Sequence, residues 1–105
     1  MRVYLSGKIT NTEDYIKRFL AAERKLEDQY DIINPAIICS FLPDTMTHDE
    51  YMSVCFPLLD LCDAVYVINA EDAKTSDGVK QEILYALATG KTVMSKEKIS
   101  IDTLN

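Results

Sequence analysis

Glycine and proline are scarce, three of each among 105 residues, which excludes collagenous, linker-rich and low-complexity chains. Basic clusters are scarcer still. The longest are Lys17-Arg18 and Arg24-Lys25, and 11 Lys+Arg face 17 Asp+Glu for a net charge of −6. Duplex binding draws its affinity from neutralised phosphates and leaves a basic stripe as its footprint; the sequence has none, so no duplex nucleic acid is expected as a partner. No apolar run approaches the roughly 20 residues of a membrane span, and the opening Met1-Arg2-Val3-Tyr4-Leu5 turns polar too soon for a signal-peptide apolar region. No membrane partner is expected. The three cysteines, Cys39, Cys55 and Cys62, form no Cys-x-x-Cys pair, and His48 is the single histidine. That pattern supplies neither a disulfide framework nor a metal cluster. The expectation is no metal, no cofactor and a reducing cytoplasm as the location.

The residues present describe a globular chain. With 48% hydrophobic and 27% charged residues intrinsic disorder is excluded, and a chain of this length buries roughly 60 to 68% of its unfolded surface, enough for one core. A single domain over residues 1–105 is expected.

Val3-Tyr4-Leu5, ending at Ser6-Gly7, predicts a first buried strand. Tyr15, Phe19, Ala22 and Leu26 then fall on one helical stripe, with Thr12 or Asn11 as the cap. Asp31 to Pro35 reads as a short strand ended by a proline that cannot donate to a ladder, and Ala36 to Met46 as an irregular loop. Thr47-His48-Asp49-Glu50 fits a capping box and predicts a second long helix with Tyr51, Val54, Leu58 and Leu61 inward and a bend at Pro57. Cys55 and Cys62, seven apart, share a face of it as small buried hydrophobes. Ala64-Val65-Tyr66-Val67-Ile68 is the strongest strand signal, buried on both faces. After a polar loop from Asn69 to Thr75, a third helix runs from Ser76-Asp77 to Thr89 with Gly90 just past its end, burying Val79, Ile83, Ala86 and Leu87. Lys91 to Met94 is a fourth strand. Short apolar strands alternating with helices predict a small doubly wound α/β domain, Rossmann-like or flavodoxin-like, with a mainly parallel sheet and helices on both faces. Ligands of such folds bind outside the carboxyl ends of the strands, here Ser6-Gly7-Lys8, Asn34-Pro35 and Asn69 to Ser76.

Three of these places carry chemistry. Ser6-Gly7-Lys8 sets hydroxyl and cation beside a sharp turn, although an ordinary strand-to-helix turn reads the same way and no Walker or dinucleotide fingerprint is present. Ser76-Asp77-Gly78 offers a helix start suited to a phosphate, carboxylate or sugar hydroxyl, with plain N-capping as the bland alternative. Glu82, at the edge of the buried stripe between Gly78 and Ala86, has a groove beside its carboxylate. Tyr4 is either a core tyrosine or part of the same site. The first loop is too short in hydroxyls to cradle a flavin phosphate, which disfavours electron transfer.

Taken together, Tyr4-Leu5-Ser6-Gly7-Lys8-Ile9-Thr10, Asn34-Pro35, Cys62-Asp63-Ala64-Val65-Tyr66, and Ser76-x-Gly78-x-x-x-Glu82 with Ala86 and Gly90-Lys91 resemble the nucleoside 2-deoxyribosyltransferase superfamily, and within it the short DUF4406 branch of bacteria and their phages. The resemblance implies a homo-oligomer acting on the N-glycosidic bond of a nucleoside or deoxynucleoside monophosphate. It matches Glu82 to the nucleophile, Tyr4 to an active-site tyrosine and Ser76 to a 5′-phosphate contact. Ser6, Gly7, Lys8, Asn34, Asp63, Asp77 and Gly78 complete the expected substrate-binding set. In one position the chain departs from the pattern: where the superfamily usually carries an aspartate that serves the leaving base, this chain has Cys55. That departure keeps open a second expectation, a nucleotide-binding or sensing module without chemistry.

Overall fold

In the computed structural model, which describes residues 1–9 and 13–99, β1 (Arg2–Ser6) is the strand on which the rest is hung. It pairs in parallel with β2 (Asp31–Ile33) on one side and β3 (Ala64–Val67) on the other, and β3 pairs in parallel with β4 (Thr92–Ser95). The strand order β2-β1-β3-β4 confirms the expected doubly wound α/β fold. The chain runs outward from β1 to β2 and then returns across it to β3, so its direction reverses between β1 and β3. A crevice opens there at the carboxyl ends of the strands.

Alternation along β1 divides the core. Val3 and Leu5, with Ala64 and Tyr66, pack against Phe19, Ala22 and Leu26 of α1 (Tyr15–Leu26). Tyr4 and Val65 face the opposite side with Cys55, Leu59, Cys62 and Ala86, from α3 (His48–Asp60) and α5 (Asp77–Ala88) and the turn between α3 and β3. All four β3 residues are buried, as a central parallel strand covered on both faces requires.

Two segments expected to be irregular are helical. Asn34 accepts from the amides of Ala36 and Ile37 and Pro35 stands in the first turn, so the strand gives way to a capped helix, α2 (Pro35–Ile38), followed by a 3₁₀ turn at Cys39–Phe41. Proline here opens a helix, where its missing N–H costs nothing. Asn69 to Thr75 likewise contains α4 (Asp72–Thr75), whose Asp72 and Ala73 are buried. The capping box at Thr47 and Glu50 is present, and α3 continues through Pro57. Its buried face, however, is Met52, Cys55 and Leu59, while Tyr51, Val54 and Leu58 are half-buried and Leu61 is 57% exposed. Apolar residues surround most of this helix, so spacing alone does not single out a face. On α5 the buried set is Val79, Glu82, Ile83 and Ala86, with Leu87 exposed. Asp14 occupies the N-cap of α1 without a side-chain bond; Asn11 and Thr12 lie outside the described residues. Gly90, with φ of 77°, closes α5 in the left-handed conformation that glycine tolerates.

Gly7 is set by close approach. A β-carbon there would stand 3.1 Å from Cε1 and Cζ of Phe19 and 3.3 Å from Cδ1 of Ile68, whereas one at Gly78 would meet nothing nearer than 3.6 Å. Gly7→Ala is expected to lower the unfolding free energy by about 1–3 kcal/mol through overpacking, and Gly78→Ala to leave it within about 1 kcal/mol. Urea denaturation measures both, and equal midpoints for the two variants would contradict the packing at Gly7.

Candidate active site

The period-two alternation that buries Val3 and Leu5 on one face aims Tyr4 and Ser6 at the other. There α5 crosses with Glu82, one turn after Gly78. Ser6 Oγ donates to Glu82 Oε1 at 2.7 Å, and the Tyr4 hydroxyl donates to Glu82 Oε2. Tyr4 and Ser6 are fully buried and Glu82 is 6% exposed. Burial pushes the Glu82 carboxyl up to about 7, against the opposing pull of the two hydroxyl donors. Tyr4 is held well above the usual phenol range by burial and then by the neighbouring carboxylate.

Glu82 and Tyr4 form part of the lining of a cleft of about 840 Å³. The loop after β1 contributes Gly7 and Lys8, the start of α5 contributes Ser76, Asp77 and Gly78, and the start of α3 contributes Thr47, His48 and Tyr51. The Lys8 amide donates to Asp72 Oδ2 at 3.0 Å, which fixes the loop where it leaves β1. Ser76 Oγ accepts from the Val79 amide at 3.3 Å and so caps the start of α5. Among the described residues no three His, Cys, Asp or Glu side chains gather as a metal site, and no helix is long and apolar enough to cross a membrane. The arrangement presents a buried carboxylate, held at both oxygens, at the base of an open cleft with a polar helix start along one wall.

A family profile, that of a domain of unknown function, DUF4406, matches residues 1–95. The chain belongs to the DUF4406 family. No curated protein matches it.

In this DUF4406 chain the fold brings together Tyr4, Gly7, Lys8, Ser76, Asp77, Gly78 and Glu82 around the cleft, with Ser6 directly behind Glu82. Two residues of the expected set stand elsewhere. Asn34 is buried, capping α2 through Oδ1 and donating through Nδ2 to Glu23 at 3.0 Å. Asp63 precedes β3 at the opposite end of the sheet, where its carboxylate accepts from the Arg2 amide at 2.9 Å. Both side chains serve local hydrogen bonding that sequence spacing does not display. Cys55 lies under the site and outside its lining: it is 1% exposed, and burial pushes its thiol up to about 12. His48 and Tyr51 also line the cleft, although their spacing in the sequence does not single them out. Their signal was the capping box itself, which fixes where the first turn of α3 begins.

The raised Glu82 carboxyl has a measurable consequence. The unfolded chain loses this proton near 4.5, the folded protein near 7, so between those values the folded state binds the proton more tightly. Stability therefore falls as pH rises from about 4.5 to about 7 and is level above it. Glu82→Gln, neutral throughout, is expected to exceed the parent in stability by on the order of 2–3 kcal/mol at pH 8, with the gap closing below pH 4.5. Thermal melts across pH 4 to 8 provide the comparison; a gap that does not change with pH would contradict a costly buried carboxylate.

Proposed function

We infer that this protein cleaves or exchanges the N-glycosidic bond of a nucleoside or deoxynucleotide, with Glu82 as the nucleophile. The observation that carries this reading is the Glu82 carboxylate itself, buried at the base of a cleft and gripped at both oxygens by hydroxyls from one face of β1. A carboxylate so placed adds to the anomeric carbon through an oxocarbenium-like transition state and forms a glycosyl-enzyme intermediate. Water then completes hydrolysis, or a second base completes transfer. Tyr4 and Ser6 position the attacking group, and burial raises its basicity. The start of α5 supplies amides and a partial positive charge for a 5′-phosphate or 5′-hydroxyl, with Lys8 across the same cleft.

The resemblance to nucleoside 2-deoxyribosyltransferases supports the same assignment and adds a homo-oligomer, consistent with a broad open cleft and with Phe41, which is 87% exposed. A reducing cytoplasm rests separately on the cysteines, three of them buried and free. A second reading, ligand binding without chemistry, is favoured by one observation: Cys55, at the position where the superfamily usually carries the aspartate for the base, does not line the cleft.

Chromatography of deoxynucleosides and their 5′-monophosphates after incubation separates the two. The enzyme reading expects free base from at least one compound and a loss of at least about 1,000-fold in Glu82→Ala. It also expects a rate that climbs as pH rises through about 7, because the nucleophile must be ionised. A compound that raises the melting temperature without releasing base supports the binding module instead. Release that persists in Glu82→Ala would remove Glu82 from the chemistry.

A further inference from the structure

We propose that His48 is the proton donor to the departing base, a role that rests on the glycosidic reading of Glu82 and completes it. His48 is the first residue of α3, where the Thr47 and Glu50 capping box fixes the backbone. Its Nε2 lies 3.1 Å from Gln81 Oε1 on α5, so the ring is held between the starts of two helices. An amide oxygen only accepts, which places hydrogen on Nε2 and leaves Nδ1 as the end that exchanges a proton. A β-carbon at Gly78 would stand 3.6 Å from His48 Cε1. The imidazole therefore sits over the bare backbone of Gly78.

Gly78 and Glu82 are one turn apart on α5, about 5.4 Å along its axis, and a helical side chain leans back over the turn before it. Imidazole and carboxylate thus border the same cleft, which both line. The alternatives on α3 are poorly placed. Cys55 is buried beneath the site, and neither Asp49 nor Asp60 lines the cleft. The charged groups sharing the lining with His48 are Lys8, Asp44, Asp77 and Glu82.

The steps balance. A Glu82 oxygen bonds to the anomeric carbon as the carbon–nitrogen bond breaks, and that electron pair passes to the base, which takes the Nδ1 proton of the imidazolium and leaves neutral. Neutral His48 then accepts a proton from the attacking water as the ester to Glu82 breaks, restoring carboxylate, imidazolium and free sugar.

The test compares single-turnover base release, with enzyme in excess, from 2′-deoxyguanosine and 7-methyl-2′-deoxyguanosine or their 5′-monophosphates. The methylated base is cationic in the substrate and leaves without a proton. His48→Gln is expected to lose about 100- to 10,000-fold on the unmethylated compound and less than tenfold on the methylated one, with melting temperature near the parent's. Equal losses on both, or no loss on either, would overturn the role of His48 while leaving Glu82 in place, provided Glu82→Ala is inactive on both. Absence of base release by the parent protein from every deoxynucleoside and 5′-monophosphate, these two included, would overturn both assignments.

Discussion

A carboxylate taken out of water is the constraint on which this structure turns. Glu82 sits on the buried stripe of α5 at 6% exposure, and an isolated ionised group in that setting is strongly unfavourable. The fold meets the cost with two hydroxyl donors, one to each oxygen. Both come from β1, and both point the right way only because strand residues two apart share a face. A register slip of one residue would exchange Tyr4 and Ser6 for Val3 and Leu5 and leave the carboxylate without donors. The parallel pairing of β1 with β3, Tyr4 opposite Val65 and Ser6 opposite Val67, therefore secures the donors to Glu82 as well as the sheet. An apolar residue at position 82 would leave both buried hydroxyls without an acceptor, so the three polar groups form one unit.

Around that carboxylate, small residues make the space. Gly7 admits the Phe19 ring against the end of β1, which seals the α1 side of the sheet. Gly78 leaves the backbone of α5 bare one turn before Glu82, and His48 from α3 reaches over it. Asp72, buried on α4, holds the Lys8 amide and so ties the β1 loop to the segment after β3. These contacts gather at the point where strand order reverses, which is where doubly wound sheets bind their ligands.

Much of this was legible in the residues. Four strands, three long helices, the Thr47 capping box and Gly90 as a helix stop follow from local spacing and cap chemistry, whereas the association of Tyr4 with Glu82 was implied only by the family resemblance. What was not legible depended on tertiary contacts. The buried face of α3 is hidden by apolar residues on most of its circumference. Asn34 and Asp63 carry polar side chains at strand ends, and only the folded chain reveals that one caps α2 and the other anchors Arg2. His48 is one histidine among polar neighbours, and its relation to Gly78 spans 30 positions of sequence and two helices.

The neutral thiol at Cys55 bears on how the site divides its labour. A second carboxylate in the space beneath Tyr4 would oppose ionisation of Glu82, because like charges in a dry site raise each other's proton affinity. With a thiol pushed up to about 12, the buried cluster of Tyr4, Cys55 and Glu82 contains one group that ionises near neutrality, and that group is the one proposed as nucleophile. Any proton for a leaving base must then come from the rim of the cleft, where side chains stay hydrated and exchange with solvent. The −6 net charge is compatible with this division. Under the proposed function a nucleotide would meet a helix start, a lysine and an imidazole placed locally, while the overall charge acts mainly at longer range and is screened within about 10 Å at ordinary salt.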